Sequence, residues 1–158
     1  MAKRDYYTVL GVNRDASDEA IKLAVQHHTW FSMDIYDDDY ILATGTSNGT
    51  EQESIDKERA IGLKQRQTFQ RAVKAGVPML FGSDAGVYPH GDNGKQFAKM
   101  VEWGMTPLQA IQTATVNAAD LLGWTKIGSV EPGNFADIIA VNGDTTKDVT
   151  LLQIGAHP

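Results

Sequence analysis

Asp84 is the residue of this chain whose surroundings most suggest chemistry. It follows the apolar run Met79-Leu80-Phe81 and sits among small residues in Gly82-Ser83-Asp84-Ala85-Gly86. A short unbroken apolar run predicts a strand buried on both faces of a parallel sheet. Acids at the carboxyl ends of such strands stand where these sheets carry their reactive groups. Asp84 is therefore a candidate metal ligand and a candidate general base. His90 follows in Tyr88-Pro89-His90-Gly91, a loop at the same face, and is either a substrate contact or an ordinary solvent-exposed histidine.

The other reactive residue types are few. The chain has no cysteine, so thiolate metal sites, disulfides and cysteine nucleophiles are excluded, and any metal must be held by His, Asp, Glu or Lys. His27 and His28 are adjacent, so on a helix they point about 100° apart and cannot readily share an ion. The run Asp37-Asp38-Asp39 lacks the ligand spacing and the glycine of a calcium-binding loop and is expected to be a solvated charge run. The 158 residues carry a formal charge of -6, which disfavours a general nucleic-acid or anionic-membrane surface and fits small or neutral partners. With no long apolar span and no signal-peptide pattern at its start, a soluble cytoplasmic product is expected.

These residues need elements to position them. Ser17-Asp18-Glu19-Ala20 opens a helix with acids in its first turn and Ile21, Ala24 and Val25 on its apolar face. Trp30-Phe31-Ser32-Met33 reads as a short strand, Asp34 to Tyr40 as an acid-rich aromatic loop, and Ile41 to Asn48 as an excursion. Thr50-Glu51-Gln52-Glu53 has capping-box spacing, and Ile55, Gly62, Phe69 and Val73 share one face of a long helix stopped by Gly76. Past the Asp84 strand, Asp92 or Asn93 is expected to cap a helix carrying Phe97, Met100 and Val101. Thr106 caps another with Pro107 at its first position. Leu108, Ile111, Ala114, Ala118 and Leu122 form its expected buried stripe, and Ala136 to Val141 has the β-branched look of a strand.

Two family resemblances run through these elements. Lys3-Arg4-Asp5-Tyr6-Tyr7 with Val9-Leu10-Gly11-Val12, and then Leu23 to His28, resembles the opening of a J-domain, the co-chaperone module that stimulates heat-shock ATPases. The likeness spans about residues 1–28. It departs where that family has His-Pro-Asp, because here the residues are His28-Thr29-Trp30, and no third helix follows. A heat-shock chaperone is accordingly not the expected partner.

The second likeness is carried by Gly82-Ser83-Asp84-Ala85-Gly86, by Gly104-Met105-Thr106-Pro107-Leu108-Gln109-Ala110-Ile111, and by Gly128 to Asp137. In this order and spacing they are similar to the carboxyl part of amidohydrolase superfamily enzymes of the imidazolonepropionase-like and Xaa-Pro-dipeptidase-like branch, over about residues 30–153. The resemblance implies an α/β fold, a (β/α)8 barrel with a small β-sandwich, and metal-dependent hydrolysis of amide or peptide-like C–N bonds in small molecules. The family aspartate that binds the metal and takes a proton from the attacking water matches Asp84. Its further ligands are a His-x-His pair, a bridging Lys or Glu, and two single histidines. None of these is matched by His27, His28, His90 or His157.

The expected organisation is therefore a J-domain-like helical segment over 1–28, the carboxyl-terminal part of a barrel over 29–123, and part of a small β domain over 124–158. The implied cofactor is a divalent metal, zinc by resemblance, and the implied substrate a small amide or dipeptide. One carboxylate cannot hold an open catalytic ion by itself, so the isolated chain is expected to be a poor catalyst. Self-association or a complementing barrel fragment would have to complete it.

Overall fold

The computed structural model describes residues 17–153. The Ser17 side chain accepts the Ala20 amide and so starts helix α1 (Asp18–Gln26). Strand β1 (Phe31–Met33) follows, then helices α2 (Asp37–Thr44) and α3 (Gln52–Ala75), and strand β2 (Met79–Phe81). A 3-10 turn (Asp92–Gly94) leads into α4 (Lys95–Glu102), α5 (Pro107–Thr113) and α6 (Val116–Leu122), and a second 3-10 turn spans Val149–Leu152.

The two strands pair in parallel with Phe31 opposite Met79, Ser32 opposite Leu80 and Met33 opposite Phe81. Parallel neighbours need a crossover, and α2 and α3 supply it. Alternation along each strand sends Phe31, Met33, Met79 and Phe81 to one face. There they join a core built on Ile35, Phe69, Ala72, Val77, Met100, Met105 and Ala110. Ile21 and Ala24 of α1 belong to the same core. The helix read as the end of the J-domain-like segment thus packs with the strands and α3, and the first sixteen residues of that segment lie outside the described residues.

Parallel pairing has one consequence for chemistry: both strands release their chains at the same edge. Gly82 lets those ends approach closely, since a Cβ there would lie 2.9 Å from Ser32 Oγ and 3.1 Å from the Met33 carbonyl carbon.

Several local expectations are met. Gly76 and Gly123 end α3 and α6 in the left-handed conformation, at φ 77° and 65°. Thr106 and Gln109 form a full capping box with Pro107 in the first turn of α5. The long helix buries Ile55, Gly62 and Phe69.

Others are corrected. The Thr50 to Glu53 box does not form: Glu51 takes the cap position without a side-chain bond, and the Thr50 amide donates instead to Gly45 O. Gly94, not Asp92 or Asn93, precedes α4. The expected stripe from Leu108 to Leu122 is broken at Ala114 and Thr115, and burial falls on Ala110, Thr113 and Ala119, leaving Leu108 and Leu122 exposed. Ala136 to Val141 forms no strand and pairs with none among the described residues, and Ile138 and Ile139 are 61% and 79% exposed. Among the described residues, no helix is long and apolar enough to cross a membrane.

Candidate functional site

Asp84 lies three residues past β2, exposed, with φ 41°. That left-handed backbone is uncommon for a residue with a side chain, and aspartate is among the few that tolerate it. Asp34 is the first residue past β1 and Asp37 the first of α2. Asp34, Asp37 and Asp84 each offer a carboxylate oxygen within 4.8 Å of the other two. The acid expected to stand alone is thus one of three.

The electrostatics of this arrangement are severe. Two carboxylates at such a distance repel by roughly 3 kcal/mol at an effective dielectric near 20. Burial, followed by the negative charges of Asp84 and Glu58, holds the Asp34 carboxyl above its ordinary range. Asp37 is pushed up to about 7, by burial first and then by Asp34, with smaller contributions from Glu58 and Asp84. Its Oδ1 is buried and receives no hydrogen bond among the described residues. Such a cluster takes up protons or a cation to relieve its charge.

Asp37-Asp38-Asp39 is not the solvated run expected of it. At 100° per residue the three acids leave the first turn of α2 in different directions. Asp37 joins the cluster. Asp38 is 1% exposed and faces α3, with Oδ2 3.8 Å from an Arg66 nitrogen. It is pushed up to about 8, by burial first and then by the neighbouring carboxyl groups of Glu58 and Asp37. Asp39 pairs with Arg66 and Lys99, each at 2.8 Å. Gly62 makes room for Asp38, for a Cβ there would lie 2.7 Å from Asp38 Oδ2.

The loops that carry the acids are held by neutral groups. The Tyr88 hydroxyl donates to Ser83 O, and its buried ring meets Tyr36 edge-on, with centroids 4.9 Å apart. Burial, more than any other cause, raises this phenol to about 12, so it remains a donor. Asn93 Nδ2 donates to Ser83 Oγ at 3.2 Å, and Asn93 Oδ1 accepts the Gly91 amide. Gln65 donates to Asp34 O at 2.9 Å. Gln96, fully buried, accepts the amides of Ile35 and Tyr36 at 3.1 and 2.9 Å and donates to Met33 O at 2.7 Å.

His90 is exposed in the loop beyond Tyr88 and is not among the converging ligand atoms. His27 and His28 are exposed at the end of α1. Sequence reasoning passed over Asp34 and Asp37. The signal for Asp34 was present: Phe31-Ser32-Met33-Asp34 repeats the pattern of an apolar strand closing on an acid, and parallel pairing brings the two closing acids to one edge. Asp37 carried no such signal, being one of three consecutive acids whose directions only the helix distinguishes.

An all-carboxylate set fits a hard divalent cation such as magnesium, manganese or calcium better than zinc, which favours nitrogen and sulfur donors but accepts carboxylate oxygen. The buried Asp37 oxygen, which has no donor among the described residues, and the three converging acids are what such an ion would satisfy.

The profile of the amidohydrolase family matches residues 10–155. Ochratoxinase of Aspergillus niger is 33% identical over 116 residues, covering 72% of this chain and 24% of that protein. The crystal structure of a Xaa-Pro dipeptidase with bound methionine in the active site is similar with a TM-score of 0.81 at 34% identity, covering 90% of this chain and 36% of that one. A stretch of 33 residues is 70% identical to chaperone protein DnaJ 2 of Aromatoleum aromaticum, 18% of this chain and 9% of that protein. The chain therefore spans about a quarter of the length of the curated relative and about a third of the structural one. The match from residue 10 to residue 155 takes in both strands and all three acids, and the chain belongs to the amidohydrolase family.

Proposed function

We propose that this chain serves metal-dependent hydrolysis of amide or peptide-like C–N bonds in small molecules, with Asp84 at the reacting centre. The observation that carries this reading is the convergence of Asp34, Asp37 and Asp84 within 4.8 Å at the common edge of two parallel strands. Asp84, Asp34 and Asp37 would hold the ion. When bound, a divalent ion supplies a more acidic water and a polarised carbonyl. Asp84, the exposed member of the set, is placed to accept a proton from a water at the rim and to return it to a leaving nitrogen. Asp37, held near 7, gives up its proton readily at neutral pH when a cation arrives. His90, exposed in the loop after Asp84, is proposed to meet the substrate.

The finer architecture belongs to the same proposal. The two strands and their helices are the last part of a (β/α)8 barrel. Self-association, or pairing with a complementing barrel fragment, is the proposed assembly. Small amides and dipeptides are the substrate class, by analogy with the relatives' names.

The test is manganese binding followed by electron paramagnetic resonance, paired with turnover on a panel of dipeptides and N-acyl amino acids. About one ion per chain is expected, with binding lost in Asp84→Asn and in Asp37→Asn. No saturable binding at millimolar manganese would sink the proposal. A second reading, co-chaperone activity, rests on the 33-residue likeness to DnaJ 2. It predicts stimulation of a heat-shock ATPase, and its absence would remove that reading.

A further inference from the structure

We infer that Asn93 and Gln96 are positioning residues that set the separation of the acids by gripping both acid-bearing loops from one short stretch of chain. This inference rests on the functional reading above and concerns the groups that hold its site together.

The argument begins with spacing. Residues three apart on a helical turn lie on the same face. Asn93 stands in the 3-10 turn that runs directly into α4, and Gln96 is the second residue of α4. Their side chains reach opposite members of the strand pair. Asn93 Nδ2 donates to Ser83 Oγ, the side chain immediately before Asp84. Gln96 takes both backbone amides that follow Asp34, and its amide nitrogen donates to the carbonyl that precedes Asp34. Asp34 is thereby bracketed on both sides by one buried carboxamide.

Chemistry explains why a glutamine suits this place. A buried turn presents two N–H donors and one C=O acceptor, and a carboxamide is the neutral side chain that matches two donors with its oxygen and an acceptor with its nitrogen. Glutamate in its ionised form would lose the donor and add a fourth negative charge near three acids that already repel. Gln96 is fully buried and all three of its bonds are to backbone, so its contribution is geometric. Tyr88 closes the arrangement from the other side, since its ring packs on Tyr36 while its hydroxyl holds Ser83 O.

The chain has no cysteine, which opens a direct measurement of separation. Nitroxide labels are placed on Asp34→Cys and Asp84→Cys, and dipolar broadening is read with and without Gln96→Met. Strong broadening is expected in the parent, and a weaker, more distributed interaction in the Gln96→Met background. An unchanged spectrum, or no broadening in the parent, overturns the inference. Manganese affinity of the unlabelled protein supplies the functional arm. Gln96→Met is expected to weaken it about 10- to 100-fold, the usual effect of losing a group that orients metal ligands.

Thr113→Val, which removes a different buried hydrogen bond, controls for general loss of stability and is expected to leave manganese affinity within about twofold. Equal weakening by Thr113→Val and Gln96→Met overturns a positioning role. Should Gln96→Met fail to fold, Asn93→Ala, at a half-buried position, tests the other arm, with weaker broadening expected and an unchanged spectrum overturning it. Failure of the wild-type protein to bind manganese would defeat the functional reading, while the label experiment would still decide whether these two carboxamides set the spacing.

Discussion

Asp37 and Asp38 are neighbours in sequence, yet their protons are held for different reasons. After burial has acted on both, Asp37 is crowded chiefly by Asp34, while Asp38 is sealed against α3 beside Glu58. Both folded values, about 7 and about 8, lie above the ordinary value of 3.8. Between those limits the folded protein binds more protons than the unfolded chain, so stability is fully present below about pH 4 and declines as pH rises toward 8. Denaturant melts at pH 4, 6 and 8 should show a fall on the order of a few kcal/mol from these two groups. Asp37→Asn is expected to flatten part of that slope and to raise the melting temperature at pH 8. A divalent ion should do the same in the wild type, more at pH 8 than at pH 5, since it competes with protons for the same oxygens.

The helices expose what periodicity could and could not reveal. The apolar face of α3 was legible because 24 residues repeat it over many turns and Gly76 marks its end. The α5 and α6 stripe was misread because a two-residue break rotates the second helix, so a pattern continuous in sequence is discontinuous in space. The Ala136 to Val141 segment shows the same limit for strands. β-branched composition describes a residue that fits a sheet, and a sheet needs a partner that composition does not provide.

At this scale Gly62 makes a sharp prediction. Alanine would gain about 1 kcal/mol of helix propensity, but its Cβ would press within 2.7 Å of the Asp38 carboxylate, an overpacking that costs about 1–3 kcal/mol. Gly62→Ala should therefore destabilise the protein in a urea melt, and should become neutral or stabilising in an Asp38→Ala background. Thr106→Ala, which removes the hydroxyl that accepts the Gln109 amide in the α5 capping box, is expected to cost about 1 kcal/mol in the same measurement.

As a whole, the described residues form two parallel strands packed on one face against a core drawn from α1, α3 and α4, with the other face bearing Ser32 and Leu80 beside residues of α5 and α6. Parallel sheets are otherwise covered on both faces, and two strands alone make a weak sheet. The apolar core must carry the stability, and Phe69, fully buried at its centre, is the test of that: Phe69→Ala should cost about 3–5 kcal/mol. Exposed Val130, Phe135, Ile138 and Ile139 fall in one segment, an apolar concentration that favours association. Sedimentation velocity should show mass rising with concentration, with Ile139→Lys reducing the effect while leaving the melting temperature unchanged. Family and general fold were legible from three motifs around Asp84, Thr106 and Gly128, because those residues make turns and caps that act locally. The acid cluster was not, since it depends on strand pairing between residues forty-eight positions apart.

The φ of 41° at Asp84 narrows what that position can accept before any reaction is considered. In a saturation library sorted only for folded protein, glycine and asparagine should survive beside aspartate, while valine, isoleucine and threonine should be depleted. Asparagine keeps the backbone and discards the charge. Glycine and asparagine at this position both keep the backbone without the anion, so a genetic screen there reads chemistry separately from architecture.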